Sequence, residues 1–237
     1  AVLVLEDDPL FNAGRGSVAL DIWYRQYAAN EMKDVKFCFA HTHTGTLHSK
    51  QALADPAQIK GMKIRPSNGT MAAYMSLLGA TNVQVSAPES RDALEKGVAD
   101  AIVFPWHSII TFGIDKVVKF HNDQKLYATT FAWTMNKGWY DKLSAAQKKV
   151  IDDHCNNAWA GKVGAAWGDD EDSGQGKMEK LPGHTIVKLT PAQKKAWRDA
   201  AEPLYTQWVE AAGKVGQDGK AALEAFRAEL KKRDALN

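Results

Sequence analysis

The feature that most constrains the fold is a regular alternation of helix-like and strand-like segments between residues 55 and 104. "MKI" alternates as a strand does, 71–78 has helical spacing that ends at Gly79, and "TNVQVSA" alternates again. Ser86 and Glu89 form a capping box that opens "PESRDALEKG", and "VADAIVF" is the next buried strand. Because this alternation is typical of a parallel sheet with crossover helices, we predict an α/β fold.

The same pattern extends toward both ends of the chain. Residues 17–31 predict a helix that leads into the strand "VKFCFAHTH", and "DPAQ" carries the signals of a short helix before "MKIR". "KLYATTFAWTMN" predicts a long strand, "HTIVKL" a short one, and "TPAQ" begins a helix with a kink at Pro203. "GKAALEAFRAELKKR" is the last helix, and "GDDEDSGQGK" is the only stretch with a linker-like composition. Between them, "SAAQKKVIDDHCNNAWAGKVGAAW" predicts one capped helix whose apolar side is formed by Val150, Ile151, Cys155, Ala158, Trp159, Val163 and Trp167.

Charge and composition exclude several classes of protein. A net charge of +2, from 30 Lys+Arg against 28 Asp+Glu, gives no large basic field for nucleic acid. The apolar stretches are far shorter than the ~20 residues of a membrane span. "AVLVLEDDPLF" lacks the basic start and cleavage site of a signal peptide, so we predict a strand that runs into a loop. Cys38 and Cys155 are too few for a disulfide framework; we expect two buried thiols, and whether they meet stays open.

Three histidines lie close together in "HTHTGTLH", namely His41, His43 and His48. The first two project to one face of a strand, as a pair of metal-binding imidazoles would. No carboxylate or cysteine lies next to them to complete a tetrahedral site, so local hydrogen bonding or ligand contact is favoured, and we predict no metal or cofactor. Phosphate loops, serine elbows and H-E-x-x-H motifs are absent from the sequence, and no catalytic residue is predicted. A zinc enzyme that uses the three histidines stays open as an alternative.

Two residues follow predicted strands at positions where α/β sheets bind ligands. Arg65 ends "MKIR" and precedes a turn, and its guanidinium offers a planar fork of donors that can meet a carboxylate. From position alone, a surface ion pair is an equally open interpretation. Trp106 follows Phe104 and Pro105, just beyond a buried strand. Five other tryptophans have the spacing of core residues: Trp23, Trp159, Trp167, Trp197 and Trp208.

The run "ALADPAQIKGMKIRPSNGTMAAYMSLLGATNVQVSAPESRDALEKGVADAIVFP" resembles the solute-binding proteins of tripartite ATP-independent periplasmic (TRAP) transporters, dicarboxylate-binding type. Those proteins show "K-G-L-K-I-R", "L-G-A", "A-L-x-x-G-x-x-D" and a strand that ends before proline. Lys60 to Arg65, residues 78–80, residues 93–100 and Pro105 match that order here. "NKGWYDKLSAAQKKVIDDHC" is similar to the family's entry into a long helix, so the resemblance covers most of the chain.

The resemblance implies a two-lobed periplasmic binding protein, type II-like, with crossing strands and C-terminal helices. Such a protein is not an enzyme: it binds an organic acid in the cleft between its lobes and delivers it to membrane permease subunits, without inserting into the membrane or binding nucleic acid. Arg65 occupies the position that pairs with the acid's carboxylate. The implied domains are lobe 1 at 1–42 plus 130–170, lobe 2 at 43–129 plus 171–197, and C-terminal helices at 198–237 beneath the lobes.

The sequence departs from the family pattern in three places, two at predicted ligand positions and one at the start of the chain. Phe104 stands where family members often have an asparagine, and a second arginine of some members falls on Gly45. The strand and helix with which members begin are expected to be missing upstream of "AVLVLEDDPLF", which leaves lobe 1 incomplete.

Since the first two changes remove polar groups, we expect a monocarboxylate with an apolar or aromatic body. Phe104 and Trp106 are predicted to shape its pocket, and further wall residues are His43, Thr44, Phe131 and Phe39. A two-lobed receptor for an ATP-driven importer or a sensor kinase stays open, as do the identity of the acid, a cation in binding and the oligomeric state.

Overall fold

The computed structural model of the protein describes residues 12–235. The N-terminal stretch that we predicted as a strand therefore lies outside the described residues. The helices are α1 (Ala13–Tyr27), α2 (Gly69–Leu77), α3 (Ser90–Glu95), α4 (Trp106–Thr111), α5 (Lys137–Asp141), α6 (Ala145–His154), α7 (Asn157–Met178), α8 (Pro191–Lys214) and α9 (Gly219–Lys232). The strands are β1 (Val35–Ser49), β2 (Lys63–Arg65), β3 (Thr81–Asn82), β4 (Ala101–Phe104), β5 (Phe120–Asn122), β6 (Tyr127–Asn136) and β7 (Thr185–Val187). Among these helices, none is both long and apolar enough to cross a bilayer.

The chain divides into two compact units. The described parts of unit 1 are residues 44–129 and 170–207. Those of unit 2 are residues 12–43, 130–169 and 208–235. β1, β6, α7 and α8 each contribute residues to both units. The lobes implied by the family resemblance stay a prediction, because compactness alone does not establish that a unit moves or binds as a lobe.

A mixed sheet forms the centre of unit 1, in the strand order β3-β2-β4-β1-β5-β7, and β6 also pairs with β1. β2 is parallel to β3 and β4, and β5 is parallel to β7, as helix-strand alternation predicts. β1 is antiparallel to β4 and β5, with Thr46 opposite Phe104 and His48 opposite His121. The α/β class is therefore confirmed, and the strands between residues 55 and 104 are parallel as their alternation with helices predicts. β1 lies outside that run and joins the sheet in the antiparallel direction.

The core of unit 1 lies on both faces of β4. Ala101 and Val103 belong to an apolar cluster that includes Tyr74 and Trp197. Ile102 and Phe104 belong to a second apolar cluster, which includes Trp106. Since successive side chains of a strand point to opposite faces, a strand buried on both faces reads as a continuous apolar run. The apolar run "AIVF" therefore follows from the burial of β4 on both of its faces.

Local capping signals were read correctly at most helix ends. Asp55 and Gln58 form the predicted capping box, although the element is a short 3-10 helix, Pro56–Ile59. Gly79 follows α2 with φ of 83°, which only glycine adopts without cost. The Glu89 carboxylate accepts hydrogen bonds from Ser86 N and Oγ, yet α3 begins only at Ser90.

The single helix predicted over 144–167 is wrong. The structure has two helices there, α6 and α7, and the Asn156 side chain accepts hydrogen bonds from Ala158 N and Trp159 N at the start of the second. Val150, placed on the apolar side, is 61% exposed. α7 also continues through "GDDEDSGQGK", so the linker prediction is wrong as well. Glycines suit this helix because it packs closely: a Cβ at Gly174 would lie 2.6 Å from His107 Cα.

Cys38 of β1 and Cys155 after α6 form a disulfide bond, with their Cα atoms 4.1 Å apart. Our expectation of two buried thiols is therefore wrong. The pair joins positions 117 residues apart in sequence, and only the folding of unit 2 brings them within bonding distance. Spacing in the sequence carries no information on such a contact.

Candidate functional site

Arg65 is the last residue of β2, where it pairs with Ile102 of β4. Its side chain is buried, with a relative exposure of 8%. Nε donates a hydrogen bond to Val85 O at 3.2 Å, and the guanidinium carbon lies 5.2 Å from the centre of the Phe104 ring. Nη1 is buried without a hydrogen-bond partner among the described residues. The alternative of a surface ion pair is therefore wrong for the described part of the chain, since Arg65 is buried and no acidic side chain there pairs with it.

The phenol of Tyr127 is a second buried donor in unit 1. Its hydroxyl has no hydrogen-bond partner among residues 12–235. Burial raises the pKa of Tyr127 far above its usual range; Glu171 acts in the same direction, while Ser67 and the charge of Arg65 oppose the shift. Ser67 lies close enough to act on the pKa but does not make a hydrogen bond of regular geometry. Sequence reasoning missed Tyr127, which it treated only as part of a long strand.

Gly45 provides the space that the Tyr127 ring occupies. A Cβ at Gly45 would lie 2.6 Å from Cζ of that ring, a distance that real contacts do not tolerate. Leu126 N also donates to Gly45 O at 2.9 Å, which holds the start of β6 against β1. Tyr127 had no direct signal in the sequence. The indirect signal was Gly45, which the family resemblance aligns with an arginine and whose missing side chain leaves room for the Tyr127 ring.

Phe104 and Trp106, the predicted pocket residues, have different surroundings. Phe104 contacts Arg65 from the end of β4. Trp106 begins α4, is 4% exposed, and packs edge-on against His48 with ring centres 5.1 Å apart. The structure thus brings Phe104 to Arg65 and places Trp106 in the core beside the histidines. Their roles in a pocket stay predictions, as does that of the buried Thr44 on β1.

A chain of hydrogen-bonded histidines runs through unit 1. His48 Nε2 lies 3.0 Å from Phe104 O, and His48 Nδ1 lies 2.8 Å from His121 Nδ1. His121 Nε2 lies 2.9 Å from His184 Nδ1, and His184 Nε2 lies 3.1 Å from Lys119 Nζ. The Lys119 ammonium can only donate, and the Phe104 carbonyl can only accept. If each histidine accepts from its neighbour on the lysine side and donates toward Phe104, every bond is satisfied with all three imidazoles neutral.

The electrostatics of this chain agree with neutral rings. Burial lowers the pKa of His121 to about 3, with further contributions from His184 and Lys119, and it lowers the pKa of His48 well below its usual value. Nitrogens at hydrogen-bonding distance also leave no room for a zinc ion, whose bonds to nitrogen are each about 2.0–2.1 Å long. Throughout residues 12–235, no group of three or more His, Cys, Asp or Glu side chains could hold a metal ion. The zinc alternative based on His41, His43 and His48 has no support in this geometry.

The remaining predicted residues form an aromatic group in unit 2. Phe131 stacks on both His41 and His43, with ring centres 5.1 and 5.2 Å apart, and Trp167 stacks on His43 at 5.6 Å. Phe39 is buried and lies 5.5 Å from the Trp133 ring. Phe131 and Trp167 are 39% and 38% exposed, so the prediction that Trp167 is a core residue is wrong. Trp208 is also exposed, whereas Trp197 is fully buried as predicted. Helical spacing identified the side of α7 on which Trp167 lies but not whether another element covers it.

His41 makes no hydrogen bond with the described residues, unlike His48, His121 and His184. Both ring nitrogens are buried without a partner in the described part of the chain. Burial lowers the pKa of His41 to about 4, and the nearby His43 adds to the shift. His41 is therefore a neutral aromatic member of the stack at neutral pH.

The chain thus combines an α/β architecture with a buried arginine at the end of β2. Residues 15–211 match the family described as bacterial extracellular solute-binding protein, family 7 (DctP), and the chain belongs to that family. The resemblance seen in the sequence is thereby confirmed.

Relatives of known structure share the fold over nearly the whole chain. A TRAP solute-binding protein from Rhodoferax ferrireducens, solved with copurified benzoate, is 25% identical, covers 95% of this chain and 72% of its own, and superposes with a TM-score of 0.88. A marine metagenome TRAP solute-binding protein specific for aromatic acid ligands, solved with 3-hydroxybenzoate, is 30% identical, with 98% and 73% covered and a TM-score of 0.88. A curated solute-binding protein from Verminephrobacter eiseniae is 28% identical over 182 residues, which are 76% of this chain and 51% of the relative. The chain spans about half the length of the curated relatives it matches.

Proposed function

We propose that this chain is the substrate-binding part of a TRAP transporter: it binds an organic acid in the periplasm through Arg65 and passes it to membrane permease subunits. It binds its ligand without covalent chemistry. The observation that carries the proposal is the buried guanidinium of Arg65, whose Nη1 has no partner among the described residues. A buried charge without a counter-charge is costly, and a ligand carboxylate would supply both the charge and the acceptor.

The surroundings of Arg65 favour an acid with an apolar body. Phe104 presents its ring to the guanidinium at 5.2 Å. Aromatic rings bind apolar groups and stack on other rings. Two relatives that share at least 25% of their residues with this chain were solved with benzoate and with 3-hydroxybenzoate. An aromatic monocarboxylate is therefore the ligand class that we propose for this chain.

Thermal unfolding with and without added acids tests the proposal. The panel is benzoate, 3-hydroxybenzoate, acetate and succinate, measured on the parent, on Arg65→Ala, and on Arg91→Ala as a matched control. Arg91 is a partly exposed arginine of unit 1 that lies 4.0 Å from Glu95. An acid at about 100 times its Kd stabilises the parent by about 2.7 kcal/mol.

We expect an aromatic acid to stabilise the parent and Arg91→Ala but not Arg65→Ala, since loss of the cation removes a buried charge pair whose truncation costs about 2–5 kcal/mol of binding. Equal stabilisation of Arg65→Ala and the parent would show that the carboxylate binds elsewhere. Acetate as effective as benzoate would contradict the aromatic ligand class.

A further inference from the structure

In the described part of unit 1, two donors that lie in one neighbourhood are buried without hydrogen-bond partners. They are Arg65 Nη1 and Tyr127 Oη. Gly45, which lies against the Tyr127 ring, is followed in β1 by Thr46, and Thr46 pairs with Phe104. The Phe104 ring lies 5.2 Å from the guanidinium carbon of Arg65, so the two donors belong to one neighbourhood of unit 1. The shift that each group causes in the pKa of the other agrees with this. Buried donors without acceptors are rare in folded proteins because each one lowers stability, so two at one place indicate that an acceptor is missing.

Among the described residues, no acceptor makes a hydrogen bond with the phenol. Glu171 is the acidic group that acts on Tyr127, but its carboxylate already accepts hydrogen bonds from Ser108 N at 2.9 Å and from Ser108 Oγ at 2.5 Å. Val85 O is occupied by Arg65 Nε. The phenol and the guanidinium Nη1 are therefore two buried donors whose hydrogen bonds are unmade in the described part of the chain.

The backbone holds the phenol in this place. Gly45 lies against the Tyr127 ring so closely that a Cβ would be 2.6 Å from Cζ and from Cε1. The hydrogen bond from Leu126 N to Gly45 O fixes the two strands where that contact occurs.

We propose that Tyr127 is a second ligand-binding residue, whose hydroxyl donates a hydrogen bond to one oxygen of the bound carboxylate while Arg65 Nη1 donates to the other. This inference rests on the proposed function and names the group that selects its substrate class. One cation and one neutral donor match a single carboxylate, whereas a second carboxylate would bring a charge that this pair cannot neutralise. The pair thus favours monocarboxylates over dicarboxylates.

Isothermal titration with benzoate and succinate tests the role of Tyr127. The variants are Tyr127→Phe and, as a matched control, Tyr74→Phe, which removes a buried hydroxyl that donates to Trp197 O at 2.5 Å in the same unit. We expect Tyr127→Phe to weaken benzoate binding about 10- to 100-fold, the range for a hydrogen bond to a charged group. Its melting temperature without ligand should be unchanged or higher, because the lost hydroxyl was unsatisfied. Tyr74→Phe should melt lower and keep the Kd of the parent.

The outcomes separate this inference from the proposed function. If Arg65→Ala loses benzoate but Tyr127→Phe binds it within threefold of the parent, Tyr127 is not a ligand residue and the proposed function stands. A lower melting temperature for Tyr127→Phe with no change in Kd would show a structural role and overturn the inference in the same way. Succinate bound as tightly as benzoate by the parent would refute the selection for one carboxylate. A parent that binds neither acid would refute the proposed function and this inference together.

Discussion

His41 allows a sharp test of burial in unit 2, through the substitution His41→Phe. The ring is fully buried, stacks on Phe131, packs at a tilt against Trp167, and makes no hydrogen bond with the described residues. Phenylalanine can keep the stack while removing both unsatisfied nitrogens. We therefore expect the variant to be at least as stable as the parent at pH 7.5, since no favourable interaction is lost.

The pH dependence of this difference follows from the depressed pKa. In the folded protein the pKa of His41 is about 4, whereas an unfolded histidine has a pKa of about 6.5. The stability that the neutral ring contributes is fully present above pH 6.5 and is lost as the pH falls toward 4, because protons then bind the unfolded state preferentially. At pH 5.0 the unfolded state gains about 2 kcal/mol from protonation at this site, against roughly 0.1 kcal/mol at pH 7.5. The advantage of His41→Phe over the parent should therefore grow by about 2 kcal/mol between pH 7.5 and pH 5.0.

Urea unfolding of the parent and the variant at the two pH values measures this difference. His48 and His121 are also buried with lowered pKa values, but they are present in both proteins and cancel in the comparison. Phe39→Leu is the control: it shortens a buried ring of the same unit that contacts Trp133 and does not titrate, so its effect should be equal at both pH values. An advantage of His41→Phe that does not change with pH would refute the reasoning, because it would mean that the native protein protonates His41 as readily as the unfolded chain.

Two further predictions concern covalent and steric constraints. Replacing Cys38 and Cys155 together by serine should lower the free energy of unfolding by about 5 kcal/mol in the chain-entropy treatment of a 117-residue separation, and an unfolding midpoint that is unaffected by the double change would contradict this. Gly174→Ala should destabilise by about 1–3 kcal/mol, because its Cβ would lie 2.5 Å from Trp106 C, whereas Gly176→Ala in the same helix meets nothing within 4 Å and should stabilise by about 0.5–1 kcal/mol. Urea unfolding of the two alanine variants checks the pair, and equal effects would show that the close packing at Gly174 is not rigid.

The amino-acid sequence by itself determined the features that depend on neighbours along the chain. The capping box at Asp55, the end of α2 at Gly79 and the buried strand β4 follow from local hydrogen bonding, backbone freedom and apolar periodicity, and the structure confirms them. The position of Arg65 at the end of β2 belongs to the same group. Short-range physical rules suffice for these features because every partner lies within a few residues.

Only the tertiary structure decided which distant residues meet. It joined Cys38 to Cys155, left Trp167 exposed on α7, and placed β1 antiparallel to β4. Most important for the proposed site, it brought the Tyr127 ring against Gly45 and left its hydroxyl without a hydrogen-bond partner among residues 12–235. Contacts of this kind depend on how strands and helices pack, and neither periodicity nor spacing encodes which element will cover a given side chain. The sequence therefore sufficed for the family and the arginine, whereas the second donor beside that arginine could be found only in the folded protein.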